Sequence, residues 1–181
     1  MYGQAPVYLE RDVNVVYVPD GTPGVLPKGE MVMLYQSLGG SYTVTTSQGR
    51  MARIASYDAD AIGLEAPPPL PLLEGTDAES VEKNVWEVLK TIYDPEIPVN
   101  IAELGLVYAC RVTPTEIGND VYIAMTLTAP ACGMGPVLQY DVEEAVRRLP
   151  GVNRVNVEVV FDPPWSRERM SEAAKLQLGM L

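Results

Sequence analysis

The sequence predicts an α+β protein in three parts. A small all-β region of the SH3-like barrel kind spans residues 1–65, a proline-rich linker spans 66–75, and an α-β-β-α-β two-layer sandwich followed by a short helix spans 76–181. Three observations predict this: short β-branched runs with glycine and proline between them, a cluster of prolines, and apolar residues that then recur at helix and strand periods.

The N-terminal region contains four short runs with strand composition. They are residues 13–18, 31–35, 42–46 and 51–55, and Ser47-Gln48-Gly49-Arg50 joins the last two as a hairpin. Closely spaced short strands favour a small barrel. Nothing in this region supplies chemistry.

The segment Ala66-Pro67-Pro68-Pro69-Leu70-Pro71 favours extended polyproline geometry, because proline fixes φ and removes the N–H donor. We interpret residues 66–75 as a semi-rigid spacer.

The C-terminal region opens with a helix and a hairpin. Thr76 and Glu79 fit a capping box, and the helix that follows ends at Asp94-Pro95. Residues 104–113 have strand composition, and a turn over residues 115–120 follows.

The second half of this region contains a strand, a helix and a strand. Residues 121–128 alternate between apolar and polar, Pro136 suits a helix start, and residues 155–161 alternate again. Two helices on one face of a small sheet complete the sandwich. Residues 167–181 favour a last helix.

Composition excludes several classes of function. The chain has 181 residues, a net charge of −11, two cysteines and no histidine. The negative charge disfavours nucleic-acid and membrane-surface partners, and the missing histidine excludes Cys/His and Ser/His/Asp nucleophile pairs. Without a transmembrane segment or a signal-like start, and with too few cysteines for a disulfide framework, the sequence predicts a cytoplasmic protein.

Cys132 is the predicted reactive centre. It lies between the end of a strand and the first turn of a helix, where unpaired N–H groups lower the pKa of a thiol. Gly133 leaves the sulfur open, and the hydroxyls of Thr126 and Thr128 are placed to face it. Without a histidine base, a soft-metal ligand is favoured over a nucleophile. Cys110, inside a strand, is interpreted as core packing.

A second candidate is the acidic, proline-containing segment of residues 94–107. Its carboxylates, Asp94, Glu96 and Glu103, suit oxygen ligands, acid/base groups or polar anchors. The alternative is that Asp94 caps the turn by an Asx-type bond while Glu96 and Glu103 are solvated. The sequence does not decide between these two roles.

Three motifs in order carry a family resemblance. Residues 94–107, the Thr-x-Thr-x-Pro-x-Cys pattern of residues 126–132, and Asp162-Pro163-Pro164-Trp165 together resemble the SufT-like iron–sulfur cluster assembly family. The match covers about residues 76–181, and Ala131-Cys132-Gly133-Met134-Gly135 is most similar to the SufT branch. Residues 1–65 lie outside the resemblance.

The resemblance implies a non-enzymatic maturation factor that helps to place clusters in client proteins. Cys132 would bind iron or a labile cluster, with Asp94, Glu96 and Glu103 in the family's acidic motif. One thiolate cannot fill the coordination of a cluster, so a homodimer, the assembly machinery or a client apoprotein would share it. The alternatives are a Cys-dependent enzyme for thiol exchange or acyl transfer, and an accessory interaction subunit of a multicomponent oxygenase, in which Trp165 and the C-terminal residues dock onto a partner.

Overall fold

The computed structural model describes residues 5–38, 41–94, 96–129 and 133–180. The chain divides into two compact units, residues 1–69 and 70–181, and each is described by itself. Cys132 and Pro95 lie outside the described residues. In the part of the chain that is described, no helix is long and apolar enough to cross a membrane.

The N-terminal unit is a six-stranded antiparallel sheet in the order β1-β4-β5-β6-β2-β3. Alternate side chains form its core, to which a 3-10 turn adds Ala61 and Ile62. The SH3-like barrel is not confirmed, because the outer strands β1 and β3 do not pair with each other in the described residues. Its strands are β1 Pro6–Tyr8, β2 Val13–Tyr17, β3 Pro23–Leu26, β4 Met31–Leu38, β5 Ser41–Thr46 and β6 Met51–Ala55, and the 3-10 turn is Ser56–Ile62.

The C-terminal unit has the predicted α-β-β-α-β order. Its sheet order is β7-β8-β9, with β7 and β8 antiparallel and β8 and β9 parallel. The helix between β8 and β9 makes the crossover that a parallel pair requires. The elements are α1 Ala78–Leu89, β7 Val107–Thr115, β8 Gly118–Met125, α2 Gly135–Arg147, β9 Val152–Val159, a 3-10 turn Arg167–Arg169 and α3 Glu172–Gln177.

Apolar periodicity explains why these elements form two layers. Val121, Ile123 and Met125 alternate along β8 and are buried beneath both helices. The apolar stripes of α1 and α2 face the same side of the sheet, so one continuous core forms between the helices and the strands. The α+β class is therefore confirmed.

The start of α1 differs from the predicted capping box of Thr76 and Glu79. Asp77 is the N-cap: its carboxylate accepts hydrogen bonds from the Ser80 N–H at 3.2 Å and from the Ser80 hydroxyl at 2.7 Å. The backbone carbonyl of Thr76 instead accepts a hydrogen bond from the buried Asn119 side chain. The capping-box prediction was wrong because Asp77, one residue after Thr76, is the N-cap and accepts the N–H of Ser80 in place of the N–H of Glu79.

Two strand boundaries also differ, and both differences affect the candidate site. β7 begins at Val107 rather than at Leu104, because Gly105 has φ +74° and extended backbone cannot pass through that conformation. β8 ends at Met125, so Thr126 and Thr128 lie beyond the strand. The predicted C-terminal helix consists of the 3-10 turn and α3.

Candidate functional site

Three connecting segments meet at one end of the three-stranded sheet. The last paired residues at this end of the sheet are Val107 on β7, Met125 on β8 and Val159 on β9; Met125 pairs with both of the others. Beyond this row the Thr126 N–H donates to the Leu106 carbonyl at 2.8 Å, and the Val160 N–H donates to the Met125 carbonyl at 2.8 Å. The acidic segment, the segment leading to Cys132 and the C-terminal segment therefore leave the sheet at the same end.

Asp94 holds the acidic segment in shape. It is 1% exposed, and its Oδ1 accepts hydrogen bonds from the N–H groups of Glu96 and Ile97, both at 2.9 Å. This is the Asx-type cap, one of the two predicted roles. Burial raises the pKa of Asp94; the two backbone hydrogen bonds oppose that shift, and the charge of Glu96 adds to it.

The raised pKa predicts a pH-dependent effect of Asp94→Asn on stability. An amide oxygen accepts the same two hydrogen bonds without a charge. Because the folded-state pKa lies above the unfolded value, the wild type loses stability as pH rises from the unfolded pKa through the folded pKa. Asparagine does not titrate, so the Asp94→Asn variant does not undergo this loss. Its free energy of unfolding relative to wild type should therefore increase from acid to neutral pH. Urea unfolding between about pH 3.5 and 7.5 measures this difference, around the ordinary Asp value of about 3.9.

Glu96→Gln serves as the matched control in the same segment, because the Glu96 side chain is exposed. Its difference from wild type should change with pH much less than that of Asp94→Asn, because it removes only the smallest of the causes that raise the pKa of Asp94. A constant difference between Asp94→Asn and wild type over the whole range would contradict the burial of a carboxylate at this position.

Glu103 anchors the C-terminal segment. Its backbone carbonyl accepts the Ser171 N–H at 2.8 Å, and its carboxylate accepts the Ser171 hydroxyl. The Ser171 hydroxyl in turn accepts the Ala174 N–H at 3.0 Å and caps α3. Of the two roles left open by the sequence, Glu103 has that of a polar anchor, whereas the Glu96 side chain is exposed. No group of three or more acidic or thiol side chains in the described ranges is arranged to hold a metal ion.

Thr126 and Thr128 follow directly after β8. Both hydroxyl oxygens are buried, and neither has a hydrogen-bond partner among the described residues. A buried hydroxyl without a partner costs about 1–3 kcal/mol, so a fold retains two of them only where something else compensates. Thr126 is fully buried, contrary to the predicted polar face of a strand.

The segment between β8 and α2 is described again from Gly133, which is exposed. Met134 occupies the N-cap position of α2 and provides no side-chain cap, and Pro136 lies in the first turn as predicted. The first N–H groups of α2 thus receive no side-chain acceptor from the N-cap residue, and the start of a helix favours negative charge.

Cys110 lies in the middle of β7, opposite Ile123, and is half-buried against the core. Burial, assisted by the charge of Glu82, raises the pKa of its thiol to about 11. The thiol stays protonated at neutral pH, as the core-packing interpretation requires.

The C-terminal segment crosses from β9 to the start of β7. The Trp165 indole N–H donates to the Leu104 carbonyl at 2.7 Å, and the Tyr108 hydroxyl donates to the Pro163 carbonyl at 2.8 Å. Trp165 also packs on the core of its own unit. Tyr108 was missed by sequence reasoning because only its contact with a residue 55 positions away reveals it.

Fold and site together define a small α+β domain in which three loops meet at one end of a three-stranded sheet and one loop carries a cysteine. A family model described as "Iron-sulfur cluster assembly protein" matches residues 82–159. The chain is 41% identical over 102 residues to a Fe-S protein maturation auxiliary factor of Porphyromonas gingivalis, covering 55% of this chain and 92% of the relative.

A second relative and a solved structure support the same family. Identity to the Fe-S protein maturation auxiliary factor YitW of Bacillus subtilis is 36% over 104 residues, covering 56% of this chain and 97% of the relative. A crystal structure of a domain of unknown function from Bacillus anthracis has a TM-score of 0.51 at 40% identity, covering 57% of this chain and 96% of the other. The chain belongs to the SufT-like family of iron–sulfur cluster assembly proteins.

Proposed function

We propose that the chain is a cytoplasmic maturation factor that uses the Cys132 thiolate to deliver iron–sulfur clusters to client proteins or to stabilise them there. The observation that carries the proposal is the pair of buried hydroxyls of Thr126 and Thr128, which have no hydrogen-bond partner among the described residues and directly precede the Cys132 segment. In this proposal the hydroxyls donate hydrogen bonds to sulfur, either of the thiolate or of the bound cargo.

The Cys132 thiolate and the two threonine hydroxyls are chemically suited to an iron–sulfur cluster. A thiolate is a soft ligand for iron, and hydrogen-bond donors around the sulfur atoms tune a cluster. The uncapped start of α2 favours negative charge, and Gly133 is exposed, so a second chain can approach the backbone. The cysteine would lose its proton when iron binds.

The three carboxylates have different roles in this proposal. Asp94 and Glu103 position the acidic segment through their hydrogen bonds to backbone and to Ser171. Glu96 is the exposed one, and it is the carboxylate that can contact cargo or a partner. None of them acts as a catalytic residue, because the proposed role is transfer of a bound species and not conversion of a substrate.

One thiolate leaves most of a cluster's coordination to other ligands. We expect these ligands to come from a second copy of the chain, from the assembly machinery or from the client apoprotein. Such shared binding is labile, as transfer requires. Iron binding by Cys132 requires a reduced thiol, and the cytoplasm keeps thiols reduced.

Expression in cells that lack their own maturation factor tests the proposal. The wild-type chain should restore the activity of iron–sulfur enzymes, measured against an iron-independent enzyme in the same extract. If those activities stay at the level of the empty vector while the chain accumulates in folded form, the proposed function is wrong.

A further inference from the structure

The strand β9 forms one edge of the C-terminal sheet. It pairs with β8 on one side and has no strand on its other side in the described part of the chain. The opposite edge strand, β7, contains Pro114, which lacks an N–H donor, and the C-terminal segment contacts β7 through the hydrogen bond of Tyr108 to Pro163. β9 contains no proline over Val152–Val159. It is therefore the edge of this sheet that is open to a further strand.

The backbone of β9 shows which groups face this open edge. The Val160 N–H donates to the Met125 carbonyl of β8, and successive residues of a strand point their N–H and C=O groups to opposite sides. Residues 155, 157 and 159 therefore direct these groups away from β8. The Val157 carbonyl accepts the Gln139 side chain at 2.8 Å, as a carbonyl facing away from β8 can. A carbonyl has two lone pairs, so this one can also accept an N–H from another strand.

The side chains of β9 are self-complementary about Asn156. Val155 and Val157 flank it, and beyond them lie Arg154 on one side and Glu158 on the other. A second β9 running antiparallel, with Asn156 opposite Asn156, places Arg154 opposite Glu158 twice, because the arrangement is two-fold symmetric. Residues directly opposite each other have Cβ atoms about 4.5–5.5 Å apart, which is within reach of an ion pair.

Other antiparallel registers lack this match. Moving the centre of symmetry one residue towards the N-terminus places Arg154 opposite Asn156. Moving it one residue towards the C-terminus places Arg154 opposite Val160. In neither register does a positive charge lie opposite Glu158, so the charges select the register centred on Asn156.

The surroundings of β9 suit a further strand. The polar residues of β9 alternate with core residues and are exposed on the face away from the helices; they are Arg154, Asn156 and Glu158. The Tyr122 hydroxyl donates to the Glu158 carboxylate at 2.5 Å and holds it on that face. On the helix side, Val155 and Val159 are only partly buried against the core, whereas Val157 is 5% exposed. A strand added at this edge covers Val155 and Val159.

We propose that the partner of this edge is a second copy of the chain, and that the two β9 strands pair antiparallel about Asn156 into one continuous sheet. Val155 and Val157 exchange N–H···O hydrogen bonds across the two-fold axis, and Arg154 of each copy forms an ion pair with Glu158 of the other. The inference goes beyond the proposed function, which leaves open whether a second copy takes part, and it does not depend on Cys132.

Sedimentation velocity of the full chain in reducing buffer tests the dimer. Pairing along one strand edge buries less than the about 1,200–2,000 Å² of a standard interface, so the wild type should pass from monomer to dimer between about 1 µM and 1 mM. Salt at about 0.15 M screens the repulsion between two chains of net charge −11. A wild type that stays monomeric over this range would overturn the proposal.

Charge reversal tests the register. Arg154→Glu creates two pairs of like charge across the axis, and so does Glu158→Arg, so each variant alone should dimerise about tenfold or more weakly than the wild type. An equimolar mixture of the two variants has opposite charges in both pairs and should dimerise about as tightly as the wild type. Recovery in the mixture also shows that both variants are folded.

Arg111→Glu is the matched control. Arg111 pairs with Tyr122, which in turn pairs with Asn156, so it lies on the same face but on the opposite edge strand. Its reversal changes the net charge as much as Arg154→Glu does, and it should leave the dimer unchanged.

Three results contradict this interface. They are wild-type dimerisation by both Arg154→Glu and Glu158→Arg, a mixture that dimerises no more tightly than either variant alone, and an Arg111→Glu chain that loses the dimer as Arg154→Glu does. Cys132→Ser should dimerise as the wild type does, so failure of the thiolate function would leave the result unchanged.

Discussion

Gly105→Ala is expected to destabilise the C-terminal unit by about 2–5 kcal/mol, combining the cost of a left-handed backbone for alanine with that of overpacking. Gly105 has φ +74°, and a Cβ there would lie 2.3 Å from the carbonyl oxygen of Arg169 and 2.9 Å from its carbonyl carbon. Backbone atoms cannot rotate away as a flexible side chain can, so the C-terminal segment must shift. Urea unfolding of the full chain measures the loss.

Gly179→Ala provides the matched control. Gly179 has φ +71°, almost the same backbone conformation, but a Cβ there meets nothing within 4 Å. It should lose only the backbone contribution of about 1–2 kcal/mol. If Gly105→Ala and Gly179→Ala are equally destabilised, the close approach of Gly105 to Arg169 is contradicted.

Gly105→Ala has a further consequence at the site. Its neighbour Leu104 accepts the Trp165 hydrogen bond, and Arg169 lies over Tyr108. Displacing the C-terminal segment should therefore disturb these two contacts while leaving α1 and α2 in place. Amide hydrogen exchange distinguishes this local loosening from general unfolding.

Cys132→Ser is expected to reduce client maturation about tenfold or more, since loss of even a supporting group around a metal ligand costs 10–100-fold. A serine hydroxyl stays protonated at neutral pH and is a hard oxygen ligand, so it does not replace a thiolate on iron. The measurement is the specific activity of an iron–sulfur enzyme in cells that depend on the chain for maturation, normalised to the amount of each variant.

Cys110→Ala is the control for loss of a thiol. Cys110 is half-buried in β7, and burial raises its pKa to about 11, so it supplies no thiolate at neutral pH. Its replacement should leave client activity close to wild type. Loss of activity in Cys110→Ala equal to that in Cys132→Ser would show that the assay reports folding and not the thiolate.

Periodicity predicted the elements of the C-terminal unit because it is a local property. The apolar stripes of α1 and α2 and the alternation along β8 require only neighbouring residues, and the structure has all three elements. The predicted boundaries of the helices and strands were less accurate. Asp77 and Thr76 are both good cap residues, and only the contacts show that Asp77 caps α1.

Contacts between distant residues could not be predicted in this way. Ser171 and Glu103 are 68 positions apart, and Trp165 and Leu104 are 61 apart. Their pairing depends on where the C-terminal segment crosses the end of the sheet. For this reason the sequence leaves the role of Glu103 open and gives no sign of the contact between Arg169 and Tyr108.

The N-terminal unit shows a related limit. Glycine and proline between short runs predicted separate strands, and the six-stranded sheet contains them. Closure of that sheet depends on pairing between its first and last strands in space, which local turn signals do not determine. The predicted barrel is the part of the fold that is not confirmed.

Direct transfer tests the central claim, that Cys132 delivers the cargo. The wild-type chain and Cys132→Ser are each incubated anaerobically with ⁵⁷Fe, sulfide and glutathione, purified from free iron, and mixed with an apo iron–sulfur client. We predict that client-bound ⁵⁷Fe rises with the amount of wild-type chain and stays at the no-protein background with Cys132→Ser. Equal delivery by both chains would contradict the account.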